Sequence, residues 1–167
     1  SASTNEIRDT TAKYWSGGQW TATTFSATGS DQSWTVPSGV TKAIFKCWGS
    51  SCEAASYQSS GGDNEGGNSV GTLATTAGDV YRIIVGNNSG YGGSYQSHGQ
   101  NYSGGLSGVF TGTGTWDATS TTDQGHAVIV AGGCGAESYG DTHGTLHEGG
   151  AGGGTTGEDG HSNTGYL

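Results

Sequence analysis

Apolar residues in this chain occur in short runs that are separated by long stretches of Gly, Ser, Thr and Asn. The clearest runs are residues 40–48, 69–75, 80–85 and 127–131, with shorter ones at 25–29 and 33–36. Within the first run Ala43, Phe45 and Cys47 alternate with Lys42, Ile44 and Lys46, which is the period of a half-buried strand. The run Ala127 to Ala131 is apolar throughout, which predicts a central strand buried on both faces. The pattern predicts an all-β fold, a small β-sandwich.

Three turn signals connect these runs. Aromatic residues flank Ser16-Gly17-Gly18, which predicts a β-hairpin over residues 13–21. Residues 76–79 contain Ala-Gly-Asp and separate two strand-like runs, which predicts a second hairpin. Pro37 is the only proline in the chain and opens a Pro-Ser-Gly-Val turn into the strand that follows.

Three glycine-rich excursions follow the strands, at residues 49–68, 86–108 and 132–165. Glycine supplies 35 of the 167 residues, about three times its usual share of roughly 7%. Long loops without structure are uncommon in a compact domain, and unpaired backbone groups are costly to bury. We therefore expect the excursions to pair with each other as extended, polyglycine-II-like segments, which glycine allows because it has no side chain.

The charge of the chain excludes several partners. Its formal net charge is −9, with only five Lys and Arg residues. Nucleic-acid binding depends on basic side chains that displace counterions from phosphates, so we expect no nucleic-acid partner. No apolar run approaches the ~20 residues that a membrane-spanning helix needs, so we expect no membrane insertion.

Three cysteines leave at least one thiol without an intramolecular partner. Cys47 lies within a strand-like run and is expected to pack as a small apolar residue. Cys52 and Cys134 each follow a strand at the start of a glycine-rich tract. They are candidates for a disulfide if the two strands are neighbours, but the sequence does not supply the Cα separation that decides it.

Three separated motifs cover most of residues 34–165, and they are WTVPSGVTKAIFKCWGSS, GTLATTAGDVYRIIVGNNSGYGGS and GHAVIVAGGCGA. In this order they resemble the glycine-rich tip, or adhesin, domain of phage tail-fibre and phage-derived fibre proteins. Cys52 and Cys134 stand where the family usually has Gly or Ala. The earlier pattern I-R-x-T-x-x-K-Y-W-x-G-x-x-W also resembles the small hairpin repeat of tail-fibre shafts.

The resemblance implies a domain organisation and a function. Residues 1–33 would form a fibre-shaft-like hairpin and approach segment, and residues 34–167 a glycine-rich β tip domain. The chain would be a homotrimer located outside the cell, at a fibre tip on a virion or cell surface. Its partner would be a cell-surface glycan or an outer-membrane protein. The alternative is a purely structural cap or assembly module at the end of a fibre.

Tyrosine and histidine residues in the excursions are the candidate ligand-binding groups. Tyr, Ser, Gly and Asn together are the composition of recognition loops, in which rigid rings supply area and small polar residues supply adaptable hydrogen bonds. The same tyrosines could instead cap the glycine layer, and both roles remain open. The candidate ligand-binding residues are Tyr91, Tyr95, His98, Tyr102, Trp116, Tyr139, Asp141 and His143.

Catalytic and metal-binding motifs are weak. Residues 104–108 resemble a nucleophile elbow in composition, but that motif needs a strand-to-helix turn and the pattern contains no helix. We expect no enzymatic activity and no cofactor, with a polysaccharide depolymerase as the remaining enzymatic alternative.

A weak metal-ligand cluster is formed by Asp141, His143, His147 and Glu148, with His161 beyond. Surface histidines are the favoured interpretation, because no cysteine pair or diagnostic spacing accompanies them.

Overall fold

The computed structural model describes residues 10–52, 65–94, 96–97, 101–112, 125–135, 138–140, 145–148 and 161–163. The short strands at 96–97, 101–102, 138–140, 145–148 and 161–163 are described by their backbone alone. Every element with assigned bounds in these ranges is a β-strand, which confirms the all-β prediction. In chain order the strands are β1 Thr10–Ser16, β2 Gln19–Phe25, β3 Gln32–Thr35, β4 Lys42–Trp48, β5 Asn68–Ala74, β6 Val80–Ile84, β7 Gln96–Ser97, β8 Asn101–Tyr102, β9 Ser107–Thr111, β10 Ala127–Ala131, β11 Ser138–Gly140, β12 Thr145–Glu148 and β13 His161–Asn163.

Two four-stranded antiparallel sheets form the body of the molecule. The first sheet has the order β2-β1-β4-β5 and the second has the order β10-β9-β6-β3. Two smaller sheets, β11-β12-β13 and β7-β8, complete the described strands. Strand β1 pairs with β4 from Thr10↔Cys47 to Tyr14↔Ala43, so pairing crosses the domain boundary expected at residue 34.

The predicted hairpin at residues 13–21 is confirmed. Strands β1 and β2 pair from Thr10↔Phe25 to Ser16↔Gln19. Gly17 and Gly18 form the turn with φ of 59° and 82°. A two-residue turn with two positive φ angles matches the right-handed twist of the flanking strands, and glycine adopts it without steric cost.

An aromatic cluster joins the two large sheets. Trp34 of the second sheet lies 5.5 Å from Phe45 of the first sheet, edge to face, and 6.1 Å from Tyr81 in a stacked arrangement. Tyr14 approaches Trp34 from β1 at 5.6 Å. The buried residues around this cluster are Ala12, Phe25, Val36, Val40, Ala43, Cys47, Ile83, Val85, Val109 and Ala131. The predicted inward face of β4 is confirmed, since Ala43, Phe45 and Cys47 are all at most 1% exposed.

The second predicted hairpin is wrong. The turn over residues 76–79 forms, with Gly78 at φ 91° and the Asp79 amide donating to the Thr76 carbonyl. However, β5 belongs to the first sheet and β6 to the second, so the turn carries the chain between layers. The alternation of apolar residues shows which face of a strand is buried. It does not show which sheet the strand joins, because both sheets bury one face against the same core.

Strand β10 is an edge strand and not the predicted central one. Its pairing with β9 contains an irregularity between Ala127 and Ile129. A β-bulge places an extra residue in one strand and changes the alternation of its side chains. Val128 and Ile129 consequently both pack against the core, while Val130 is 37% exposed. The uninterrupted apolar run therefore reflects a bulged edge and not burial on two faces.

Candidate functional site

Five glycine-containing segments meet at one end of the two large sheets, and we call them the glycine cluster. They are residues 49–52 after β4, 66–67 before β5, 86–92 after β6, 104–106 before β9 and 132–134 after β10. Because β4 is antiparallel to β5, and β9 to both β6 and β10, these strand ends lie at the same end of the molecule. The strands of both large sheets therefore lead directly into the glycine cluster.

Backbone hydrogen bonds connect the segments of the glycine cluster. The Gly49 amide donates to the Gly67 carbonyl at 2.8 Å, and the Gly67 amide donates to the Gly132 carbonyl at 2.7 Å. The Cys134 amide donates to the Ser50 carbonyl at 3.1 Å. These bonds satisfy buried peptide groups that no side chain in a glycine-rich segment could reach.

Residues 104–106 lie at the centre of this network. The Gly104 amide donates to Cys134, the Gly105 amide donates to Asn87, and the Gly105 carbonyl accepts from Ser50. The segment thus has three hydrogen-bonded neighbours. A strand within a sheet has two, one on each side, so this packing differs from a simple extension of the sheets.

Glycine is required at these positions by close backbone approach. A Cβ atom at Gly49 would collide with the carbonyl of Gly132, and one at Gly104 would collide with the carbonyl of Ser50. Cβ atoms at Gly66, Gly86, Gly105 and Gly133 would likewise meet backbone atoms of a neighbouring segment. Backbone atoms cannot rotate away as a side chain can, so any larger residue would separate the segments.

A disulfide between Cys52 and Cys134, the pair left open by the sequence, adds a covalent link to the cluster. Their Cα atoms are 5.7 Å apart, and both residues are buried. The bond closes a sequence separation of 82 residues. Cys47 is a buried free thiol, and its burial raises its pKa to about 11. The thiol is therefore protonated and unreactive at neutral pH, in keeping with a packing role.

Tyr91, the first candidate ligand-binding residue, is held by the fold itself. Its hydroxyl donates a hydrogen bond to Asp31 at 2.5 Å. Burial raises the pKa of Tyr91, and the hydrogen bond and charge of Asp31 raise it further, against an opposing effect of Arg82. The Asn87 side-chain oxygen accepts from the amides of Ser89 and Tyr91, both at 3.0 Å, and so shapes the turn. Sequence reasoning missed the roles of Asp31 and Asn87; only the turn-forming Asn-Asn-Ser-Gly string signalled the latter.

The other candidates are placed only in part. Tyr102, Tyr139 and His147 lie in the backbone of β8, β11 and β12, respectively. In the register of the three-stranded sheet His147 is opposite Ser138 and Ser162, and Glu148 is opposite His161. The remaining candidates fall outside the described residues, and they are Tyr95, His98, Trp116, Asp141 and His143.

The described part of the chain contains little that could form a metal site or a small-molecule site. No three His, Cys, Asp or Glu side chains in that part converge into a potential metal site. An apolar pocket of about 110 Å³ lies between β5 and β10, lined by Phe45, Gly71, Thr72, Leu73, Val128 and Ile129. Small-molecule sites usually occupy about 300–1,000 Å³, so this pocket is too small for most ligands.

The glycine cluster is thus the part of the structure on which a functional interpretation can be built. In the part of the chain that the structure describes, no helix has the length and apolarity to cross a membrane. Comparisons with protein-family models, curated proteins and solved structures find no match to this chain.

Proposed function

We propose that this chain is the receptor-recognising tip of a trimeric extracellular fibre, which binds a cell-surface glycan or an outer-membrane protein. The observation that carries the proposal is the glycine cluster. The chain leaves it after Cys52 and returns at residue 66, leaves it after residue 92 and returns at residue 104, and leaves it again after Cys134. Three polar segments of the chain are therefore anchored at one end of the fold.

The composition of these segments supports recognition. Residues 53–64, 93–103 and 135–167 contain most of the tyrosines and histidines of the chain among Gly, Ser and Asn. Loops of this composition bind well when a rigid scaffold positions them, because less conformational entropy is lost on binding. The cluster supplies such a scaffold through interlocked backbones and a disulfide.

The packing of the cluster also favours the polyglycine-II interpretation. Segment 104–106 has hydrogen-bonded neighbours on three sides, and glycine permits contact distances that other residues would prevent. This arrangement is what the resemblance to glycine-rich fibre tips implies. The trimer rests on that resemblance alone.

A structural cap is the second candidate, and Tyr91 favours it. The hydroxyl of Tyr91 is bonded to Asp31, and its carbonyl accepts from the Asn87 amide. This tyrosine therefore holds the cluster to Asp31, the residue before β3, and is not free for a ligand. If the other tyrosines act in the same way, the glycine-rich end seals a fibre without recognising a receptor.

Two measurements on the full chain test the proposal. Light scattering coupled to size exclusion gives the oligomer, for which we expect three copies. Binding of the labelled chain to a panel of bacterial cells and to their extracted surface glycans gives the recognition, for which we expect saturable binding to a subset. A monomer that ignores every cell and glycan refutes the proposal, whereas a trimer that binds none of them supports the structural cap.

A further inference from the structure

The outer face of the first sheet carries a concentration of basic and aromatic side chains, which we call the basic face. On β4 the inward positions are Ala43, Phe45 and Cys47, so Lys42, Ile44, Lys46 and Trp48 occupy the outward positions. Register extends this face to the neighbouring strands. Its other positions are Thr11, Lys13 and Trp15 of β1, Trp20, Ala22 and Thr24 of β2, and Asn68, Val70, Thr72 and Ala74 of β5.

The lysines of the basic face are close enough to act together. Lys13 is opposite Ile44 on the neighbouring strand, and Lys42 and Lys46 lie two residues from Ile44 on either side. From strand spacing and rise, this places the Cα atoms of neighbouring lysines roughly 8 Å apart. The Debye length at physiological ionic strength is also ~8 Å, so the three ammonium groups create one positive field.

Charge is segregated on this face. The chain has a net charge of −9 and 14 acidic residues, yet strands β1, β2, β4 and β5 contain no Asp or Glu. Three of the five basic residues of the chain are on this one face. Within the described ranges none of these lysines forms an ion pair. Like charges held this close together repel each other, and an anionic ligand would reduce that repulsion.

Two exposed tryptophans border the lysines. Trp15 and Trp20 are 51% and 50% exposed, and their rings meet edge to face at 5.6 Å. The Lys13 ammonium lies 5.2 Å from the centre of the Trp20 ring. Val70 on β5 is 56% exposed on the same face. Large apolar side chains held in the open beside cations are typical of an interaction surface.

We propose that the basic face binds an acidic linear polysaccharide. The lysines would pair with its carboxylate or sulfate groups, and the indole rings would stack on the apolar faces of its sugar rings. A flat sheet face suits an extended polymer, and Trp48 continues the track at the end of β4 that leads into the glycine cluster. Duplex nucleic acid fits less well, because its dense charge is repelled by the acidic remainder of the chain.

This surface is separate from the loops assigned to receptor recognition, and the proposal does not depend on them. The polysaccharide would be bound by the side of the molecule, whereas the loops leave from its end. Loop variants and face variants therefore report on different sites. Loss of cell binding in a loop variant that keeps its polyanion affinity concerns only the function proposed above.

The test measures binding of the full chain to four immobilised polymers at ~0.15 M salt: polygalacturonate, dextran sulfate, neutral dextran and duplex DNA. Light scattering coupled to size exclusion gives the oligomeric mass of each variant. The principal variant is Lys13→Gln/Lys42→Gln/Lys46→Gln. Each exposed pair is expected to contribute about twofold to fivefold, so the triple variant should lose about tenfold or more in affinity. Ser89→Glu adds one negative charge in the turn after β6, which is the change in net charge that Lys46→Gln alone produces. These two single variants therefore form the matched pair that controls for net charge. Trp20→Thr, which keeps a strand-forming residue, should lose about fivefold.

The expected result is binding to one or both polyanions but not to neutral dextran, lost in the triple variant and retained in Ser89→Glu. Preference for polygalacturonate or for dextran sulfate identifies the anionic group. Equal binding to neutral dextran, unchanged binding in the triple variant or a loss in Ser89→Glu equal to that in Lys46→Gln overturns the proposal. Tighter binding to duplex DNA overturns it in favour of nucleic acid. Self-association abolished by the triple variant, without polyanion binding, overturns it in favour of a second copy of the chain.

Discussion

Replacing Gly49 by alanine tests the packing of the glycine cluster, because a single methyl group would enter a space filled by backbone. The new Cβ would overlap the carbonyl of Gly132 and lie 2.9 Å from the Gly133 nitrogen. The φ of Gly49 is not in the left-handed region, so backbone conformation is not the obstacle. Relief requires the two segments to separate, which would break the bond from the Gly67 amide to the Gly132 carbonyl.

The expected cost follows from these two effects. Overpacking of a well-packed site costs about 1–3 kcal/mol, and loss of a buried hydrogen bond costs about 1 kcal/mol more. Gly49→Ala should therefore lower the free energy of unfolding by about 2–4 kcal/mol. For a chain of this size that corresponds to a fall in melting temperature of about 5–15 °C.

Gly132→Ala is the matched control, since Gly132 is the residue that the Gly49 methyl group would strike. A Cβ atom at Gly132 itself would have no atom within 4 Å, and its φ is also outside the left-handed region. This substitution should leave stability unchanged or raise it by about 0.4–1 kcal/mol, because alanine restricts the unfolded chain. Thermal unfolding followed by circular dichroism measures both variants. Equal effects of the two substitutions would refute the packing described for the cluster.

Three further predictions concern the disulfide, the buried thiol and Tyr91. Cys52→Ser/Cys134→Ser opens a loop of about 80 residues and should lower the free energy of urea unfolding by about 2–4.5 kcal/mol, whereas reductant should not affect the variant. Because the pKa of Cys47 is raised from 9.0 to about 11, the stability it confers is complete below pH 9 and is lost as pH rises to about 11. Urea titrations should show a loss that begins near pH 9, to which Cys47 contributes about 2–3 kcal/mol by pH 11, and the loss between pH 9 and 10 should be absent in Cys47→Ala. Tyr91→Phe removes the bond to Asp31 and should cost about 1–2 kcal/mol without changing cell binding, and reduced binding at unchanged stability would contradict the structural role.

The all-β class, the alternation of β4 and the first hairpin could be predicted from the sequence, whereas the assignment of strands to sheets could not. Lys42–Trp48 was predictable because its alternation distinguishes a buried face from a lysine-bearing one. The hairpin at Gly17-Gly18 was predictable because two adjacent glycines favour a tight turn between aromatic strands. In contrast, the assignment of β5 and β6 to different sheets left no trace in the apolar pattern. The bulge of β10 was likewise hidden, because it makes an edge strand as apolar as a central one.

The candidate site was predictable in composition but not in geometry. Glycine has no side chain, so nothing in the sequence shows that 104–106 contacts three other segments. The partner of Tyr91 is 60 residues earlier in the chain, and no local pattern relates it to Asp31. The basic face could not be recognised before the register was known, because its lysines are dispersed over two strands that are distant in sequence.

Cell binding by the Tyr95→Ala/Tyr102→Ala variant tests the central claim most directly. Both tyrosines belong to the segment that leaves the glycine cluster after residue 92, and Tyr91→Phe provides the comparison for a tyrosine that the fold itself holds. The account predicts that the double variant loses binding to cells while its oligomeric mass and melting temperature stay those of the native chain. Unchanged binding, with the same mass and melting temperature, would contradict recognition by this segment and would assign the binding to another part of the chain.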